Sequence, residues 1–213
     1  MLAQGGMRYY LDIMFSLSRL FRLFNPVAAV RDFREVWVQE NPHRLRILLL
    51  SGAATFAIFG TETADEDLKD LPKAEYTGRS RINVVPNSGF ESNSESRYKV
   101  RSEIAMTADF GAGEIWGTIG NTTIEDPEDG ERDAVEGTIA MDKTTFDNNG
   151  FAGTLTADAD FISDIDVNSA EGTYSGAFYG PNAEQVAGAL TFGIGADDGS
   201  LNGNGYFSAD KVD

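Results

Sequence analysis

Residues 74–211 predict an all-β fold: an eight-stranded antiparallel up-and-down β-barrel, preceded by N-terminal amphipathic helices and one short transmembrane helix. Three observations lead there. Beyond residue 73 the apolar residues recur with a period of two. Gly, Thr, Asn and Asp cut this stretch into short runs. The charge also changes abruptly at Asp65. Residues 1–64 carry seven arginines against five acidic residues, net +2, whereas residues 65–213 carry ten lysines and arginines against 29 acidic residues, net −19. The chain therefore divides into residues 1–64 as amphipathic helices and membrane anchor, 65–73 as a charged linker, and 74–213 as the barrel.

In residues 7–24 (MRYYLDIMFSLSRLFRLF), Leu11, Met14, Phe15, Leu17, Phe21 and Phe24 lie near one broad helical face, with Arg8, Arg19 and Arg22 interspersed. Such a basic, aromatic-rich helix suits a membrane interface; packing on another subunit or on a following helix is the alternative. Asn25-Pro26 breaks the pattern and starts a second amphipathic helix over 27–40. Residues 47–60 (ILLLSGAATFAIFG) carry no charge. They predict a short single span, shorter than the roughly 20 residues of an ideal one. Arg31, Arg34, Arg44 and Arg46 precede it and Asp65-Glu66-Asp67 follows, which places the N-terminus in the cytoplasm and the acidic part outside. A signal-peptide core and a buried helix are the competing readings of the same run.

Eight strands are expected over residues 75–84, 97–110, 114–119, 135–142, 151–158, 172–179, 184–192 and 205–211. Val135, Gly137, Ile139 and Met141 alternate with Glu136, Thr138, Ala140 and Asp142. Phe151, Gly153, Leu155 and Ala157 share one face, as do Tyr174 and Phe178 with Gly172, Gly176 and Gly180. Val186, Gly188, Leu190 and Phe192 form another such row. An apolar face that mixes Gly with large residues suits a tightly curved sheet filled by a few big side chains. The opposite face carries Thr, Ser, Asp and Glu and so meets water, the reverse of a transmembrane barrel. A two-sheet sandwich is the alternative.

Composition excludes several functions. The acidic half lacks the basic face that nucleic acid or anionic lipid requires. There is no cysteine, hence no disulfide, thiolate zinc site or thiol nucleophile. His43 is the one histidine and precedes the apolar run, so the acidic half holds no Ser-His-Asp triad.

Residues 172–192 read GTYSGAFYGPNAEQVAGALTF. This resembles the end-of-barrel signature of the transferrin-binding protein B family and its alphaproteobacterial relatives. Gly172, Tyr174, Gly176, Phe178, Tyr179, Gly180, Pro181, Ala183, Glu184 and Gly188 fit the family pattern, with the acidic residue early by one and Ala187 in place of a Gly. AEYTG at 74–78, MTADFGAGEIWGTIGN at 106–121 and GTLTAD at 153–158 also look like the family, so the resemblance covers about residues 74–211. It implies a surface barrel that binds a protein or iron-bearing partner beside a membrane receptor. The chain departs from the family in having no lipobox Cys, an anchor-like first segment and a single barrel.

The carboxylate runs (Asp158, Asp160, Asp164, Asp166; Glu125 to Asp133) fall in expected loops and read as solvated rather than catalytic or metal-binding. Neither 126–130 nor 197–199 has the spacing of a calcium loop. Tyr174 and Phe178 read as core filling. Tyr179, on the opposite face beside a turn, and Trp116, opposite Ile115 and Ile119, are the expected ligand-binding residues, because exposed large aromatics anchor interfaces.

The expectation is therefore a non-enzymatic, membrane-tethered extracytoplasmic module of a bacterial membrane, periplasmic or cell-surface, with no cofactor. It binds a protein or iron-containing ligand and meets the membrane through residues 7–64. A structural accessory subunit of a membrane complex is the alternative.

Overall fold

The computed structural model describes residues 46–50, 55–86, 97–126, 129–197 and 199–212. The helices expected over 7–24 and 27–40 lie outside the described residues. Segment 47–60 was expected to be a spanning helix, and the structure corrects this. It forms an antiparallel hairpin, β1 (Arg46–Leu50) pairing with β2 (Thr55–Phe59). A short apolar run carries no periodicity that separates helix from strand, and Ile47, Thr55, Phe56, Ile58 and Phe59 favour the pleat. Among the described residues no helix is long and apolar enough to cross a membrane.

Eight strands then close a ring: β3 (Ala74–Pro86), β4 (Tyr98–Asp109), β5 (Glu114–Glu125), β7 (Ile139–Asp147), β8 (Gly150–Ala157), β9 (Ser169–Tyr179), β10 (Gln185–Ala196) and β11 (Gly199–Lys211). Each pairs antiparallel with the next, and β11 returns to β3. A short strand, β6 (Arg132–Val135), lies along the far end of β5. All eight expected strands are present, several of them longer than expected. The fourth is split. Gly137 has a φ of +78°, which takes residues 136–138 out of the ladder between β6 and β7. A Cβ there would stand 2.3 Å from the backbone nitrogen of Phe161.

The alternation sorts side chains as expected. Tyr76, Ile104, Met106, Ile115, Ile119, Met141, Leu155, Tyr174, Phe178, Leu190 and Phe207 fill the lumen. Phe178 is the hub: its ring lies 5.1 Å from Phe110, 5.3 Å from Phe146, 5.6 Å from Phe151 and 6.2 Å from Tyr76, centroid to centroid. Glycine makes room for the large rings. Gly153 is paired with Tyr174, whose ring carbon would stand 2.6 Å from a Cβ on Gly153. The Tyr174 hydroxyl reaches the Asp142 carbonyl, at 2.5 Å. That carbonyl lies where the β7–β8 ladder is interrupted, between Met141 and Phe146.

Two short helices were absent from the sequence expectation. Helix α1 (Asp65–Leu68) falls inside the supposed linker and buries Leu68 against the barrel core. Helix α2 (Ala159–Asp164) follows β8, with the Asp158 carboxylate accepting from the Phe161 N–H at 2.9 Å as its N-cap. The same carboxylate accepts from the Thr138 N–H and hydroxyl, both at 2.8 Å. These donors, the Phe161 N–H above all, hold it below the usual carboxylate range. Asp164 accepts from the Glu136 N–H at 3.0 Å. The acidic run expected to be a solvated loop thus supplies a helix cap and two loop anchors.

Candidate functional site

A lumen packed with aromatic rings leaves the outer face and the barrel ends to meet a partner. The two expected binding residues fare differently there. Trp116 stands on the outer face of β5, partly exposed, at an irregularity in the β5–β7 register. Lys143 lies over its ring at 4.4 Å from the centroid and Lys73 at 5.1 Å. Lys143 also pairs with Glu114 at 2.9 Å. Trp116 is therefore a tryptophan clasped by two ammonium groups, a cation–π arrangement, rather than a bare aromatic.

Tyr179 does not match the expectation of exposure. It faces outward, but only 8% of its surface is exposed. Residues 61–63 lie beside the end of β9 as an added strand: the Thr63 N–H donates to the Phe178 carbonyl (3.0 Å) and the Gly180 N–H to the Thr61 carbonyl (2.9 Å). Glu62 bridges Tyr179, and the Thr63 hydroxyl donates to the Gly180 carbonyl at 2.7 Å. Burial raises the Tyr179 hydroxyl above its ordinary pKa, with the Glu62 carboxylate adding to it. Sequence pattern gives the facing of a strand residue but not what a distant segment lays over it. β7 and β8 separate the strands that carry Trp116 and Tyr179.

The other half of that strand end is served by Asn149, a buried residue that the sequence reading missed. Its side-chain amide donates to the Phe178 carbonyl at 3.0 Å and accepts from the Phe178 N–H at 2.9 Å. Asn149 and the 61–63 segment therefore finish the β9 ladder beyond its last β8 pair, Gly150 with Ala177.

The GPNAE turn, 180–184, is also structural. Gly180 and Ala183 take φ values of +87° and +53°, and Ala183 is fully buried. The Tyr76 hydroxyl donates to the Ala183 carbonyl at 2.8 Å. Burial drives the pKa of that phenol upward, with Glu184 adding to the rise. The Glu184 carboxylate accepts from the Asn182 N–H and side-chain amide, both at 3.0 Å. Partial burial pushes Glu184 up, but these donors outweigh it and hold the carboxyl below the usual range.

Two open grooves mark the outer face. One, of about 630 Å3, runs between Ile58 and the small residues Ala152, Ser175, Ala177, Ala187 and Ala189, with Tyr179 at its side. The other, of about 760 Å3, lies over β3, β4 and β5 and is bordered by Arg79, Glu103, Asn121 and the 136–138 turn. Asn121 donates to Glu103 at 2.6 Å across it. Among the described residues no group of three or more His, Cys, Asp or Glu side chains is placed to hold a metal ion.

Residues 71–211 match the family described as the C-lobe and N-lobe beta barrels of Tf-binding protein B. The chain belongs to this family. Among solved structures, the chain is similar to a mutant form of the vaccine antigen Transferrin Binding Protein B from Haemophilus parasuis Hp5. The identity is 22% and the TM-score 0.46, over 74% of this chain and 30% of that one. It is also similar to isotype 1 Transferrin binding protein B from serogroup B Neisseria meningitidis, with 19% identity and a TM-score of 0.43, over 74% of this chain and 29% of that one. The chain thus spans under a third of the length of these structures. No curated protein matches it.

Proposed function

We propose that the barrel is a binding module of the transferrin-binding protein B type, recognising a protein, or an iron-containing ligand that a protein carries, through its outer face. The family match over 71–211 carries this reading. The filled lumen supports outer-face binding, since a barrel packed with rings has no room for a guest. Trp116 is the residue we place in the contact surface, because a partly exposed tryptophan held rigid by Lys73 and Lys143 suits an anchor. Under the same reading the module works outside the cytoplasm, at a bacterial membrane.

The test is cross-linking of the full-length tagged chain in its native host, with fractionation, alongside a direct binding assay with iron-loaded transferrin. A partner whose yield falls several-fold with Trp116→Ala supports the reading. A partner that contacts only residues 1–60, insensitive to every outer-face substitution, refutes it. A chain recovered wholly in the cytoplasmic fraction removes the extracytoplasmic assignment.

A further inference from the structure

Residues 65–213 hold ten cations among 29 acidic side chains. Five of the ten converge on one patch of the outer face: Arg79 and Arg81 on β3, Lys99 and Arg101 on β4, and Arg132 on β6. The register makes this a block. Arg81 is paired directly with Arg101, Asn83 with Lys99, Lys99 with Glu125, and Glu125 with Arg132.

Like charges opposite one another weaken a sheet, so the Arg81–Arg101 pair has no rationale in stability. Glu125 serves three of the cations, with Lys99 at 2.6 Å, Arg132 at 3.0 Å and Arg101 at 3.1 Å. One carboxylate cannot neutralise three cations. Arg79 and Arg81 are exposed, and neither makes an ion pair with a carboxylate among the described residues, although Arg79 stands opposite Glu103 in the register. Glu103, the other carboxylate of the patch, is tied to Asn121.

We propose that this face of β3, β4 and β6 docks an extended acidic segment of a partner protein. The spacing argues for that occupant. Arg79 and Arg81, and likewise Lys99 and Arg101, stand two residues apart on a strand, about 6.6 Å. Alternate side chains of an extended segment have the same spacing. An acidic residue at every second position of a segment running along β3 would therefore meet Arg79, then Arg81 with Arg101, then Lys99. The wider charge of the domain argues against a membrane or a nucleic acid. A large anionic surface would also lie against the acidic remainder, within the roughly 8 Å over which charge acts at physiological salt. A short segment confined to the patch escapes most of that repulsion. The inference deepens the binding-module reading by naming the partner's chemistry. A chain that binds its protein partner through other surfaces would lose this inference and keep that reading.

The experiment is fluorescence anisotropy of a labelled peptide of alternating Glu and Ser, titrated with the full chain at low and at high salt. The same titration is run with R79E/R81E and with the milder R79Q/R81Q. Vesicles of phosphatidylglycerol and a Lys-Ser peptide are run beside them. The wild type is expected to bind the acidic peptide in a salt-sensitive way, and R79E/R81E to weaken it by about tenfold or more. R79Q/R81Q should fall between the two, with circular dichroism unchanged. No binding by the wild type, equal binding by both variants, or capture of the vesicles in preference to the peptide would overturn the proposal.

Discussion

Replacing Phe178 by alanine removes the ring at the centre of the lumen. The ring is fully buried and stands within 5.1–6.2 Å of four others, inside the range where aromatic pairs attract. A truncated buried Phe costs about 3–5 kcal/mol, and the upper part of that range applies where the walls cannot close on the hole. They cannot close here. The Phe178 backbone is fixed by Asn149 and the Thr63 N–H on one edge and is paired with Val186 of β10 on the other. The four facing rings belong to β3, β7, β8 and the 110–113 turn, each held by its own ladder or turn. The expected loss is therefore about 4–5 kcal/mol, a large share of the 5–15 kcal/mol by which domains are usually stable. Urea denaturation of the full chain, followed by tryptophan fluorescence and circular dichroism, measures it. Phe110→Ala, which among the described residues removes ring contacts to two neighbours, Phe146 and Phe178, should cost less. A loss for Phe178→Ala below about 1.5 kcal/mol, far short of a buried-ring truncation, would mean that the lumen is loosely packed. It would then be open to a guest, and the argument for outer-face binding would fall with it.

Asn149→Ala leaves the Phe178 N–H without its partner and removes a bond to the Phe178 carbonyl, a loss of about 2–3 kcal/mol by the same denaturation assay. Asn149→Asp should not restore it, because the carboxylate keeps the acceptor but loses the donor. Ser80 is buried with a hydroxyl that bonds nothing among the described residues, so Ser80→Ala should be neutral or stabilising by up to about 1 kcal/mol. A clear destabilisation would reveal a hidden partner. Acid should destabilise the fold. Asp158, Glu184 and Glu125 have carboxyls held below their ordinary values, so the unfolded chain binds more protons. Their contribution is whole above the ordinary carboxylate range and disappears as pH falls through the lowered folded values. Glu184→Gln should flatten that slope, and an unchanged slope would count against the Asn182 clamp. In alkali the sign reverses. Burial, followed by the Asp142 charge, pushes Tyr174 up to about 12, so its share of stability is lost between the ordinary tyrosine value near 10 and about 12. Ultraviolet titration of Tyr174→Phe against the parent locates that step.

The eight strands were legible because alternation is a local property. It survived even where the expected fourth strand breaks, since Gly137 interrupts the ladder but Val135 and Ile139 still land on the buried face. Three features were not legible. Helix α2 spans six residues, too few for a helical period to register, and its one signal was Asp158 standing at an N-cap position. The apolar run over 47–60 was too short to distinguish a span from a hairpin. Tyr179 was assigned the correct face and the wrong exposure. Its cover comes from a segment whose Thr63 hydroxyl bonds a carbonyl 117 residues away. The cationic block was likewise invisible in the linear chain. Arg79, Arg101 and Arg132 become neighbours only once the register of four strands is known.

The residues that carry the resemblance to the family in the sequence are the ones that build the barrel. Tyr174 crosses Gly153 to reach Asp142, Phe178 gathers the lumenal rings, and Glu184 locks the turn that Tyr76 buttresses. The Tyr76, Tyr174 and Phe178 side chains are buried and are not offered to a partner. Membership of the family therefore transmits a scaffold, and on the proposed reading partner choice rests on outward residues such as Arg79, Arg81 and Trp116. The two arginines cost the fold little to change: exposed charges alter stability by about 1 kcal/mol or less. A substitution there should move binding and leave the denaturation midpoint in place, whereas a substitution in the signature should move the midpoint and affect binding only as the fold is lost. If R79E/R81E and Trp116→Ala lowered the denaturation midpoint as far as Phe178→Ala does, the division between scaffold and recognition surface would not hold.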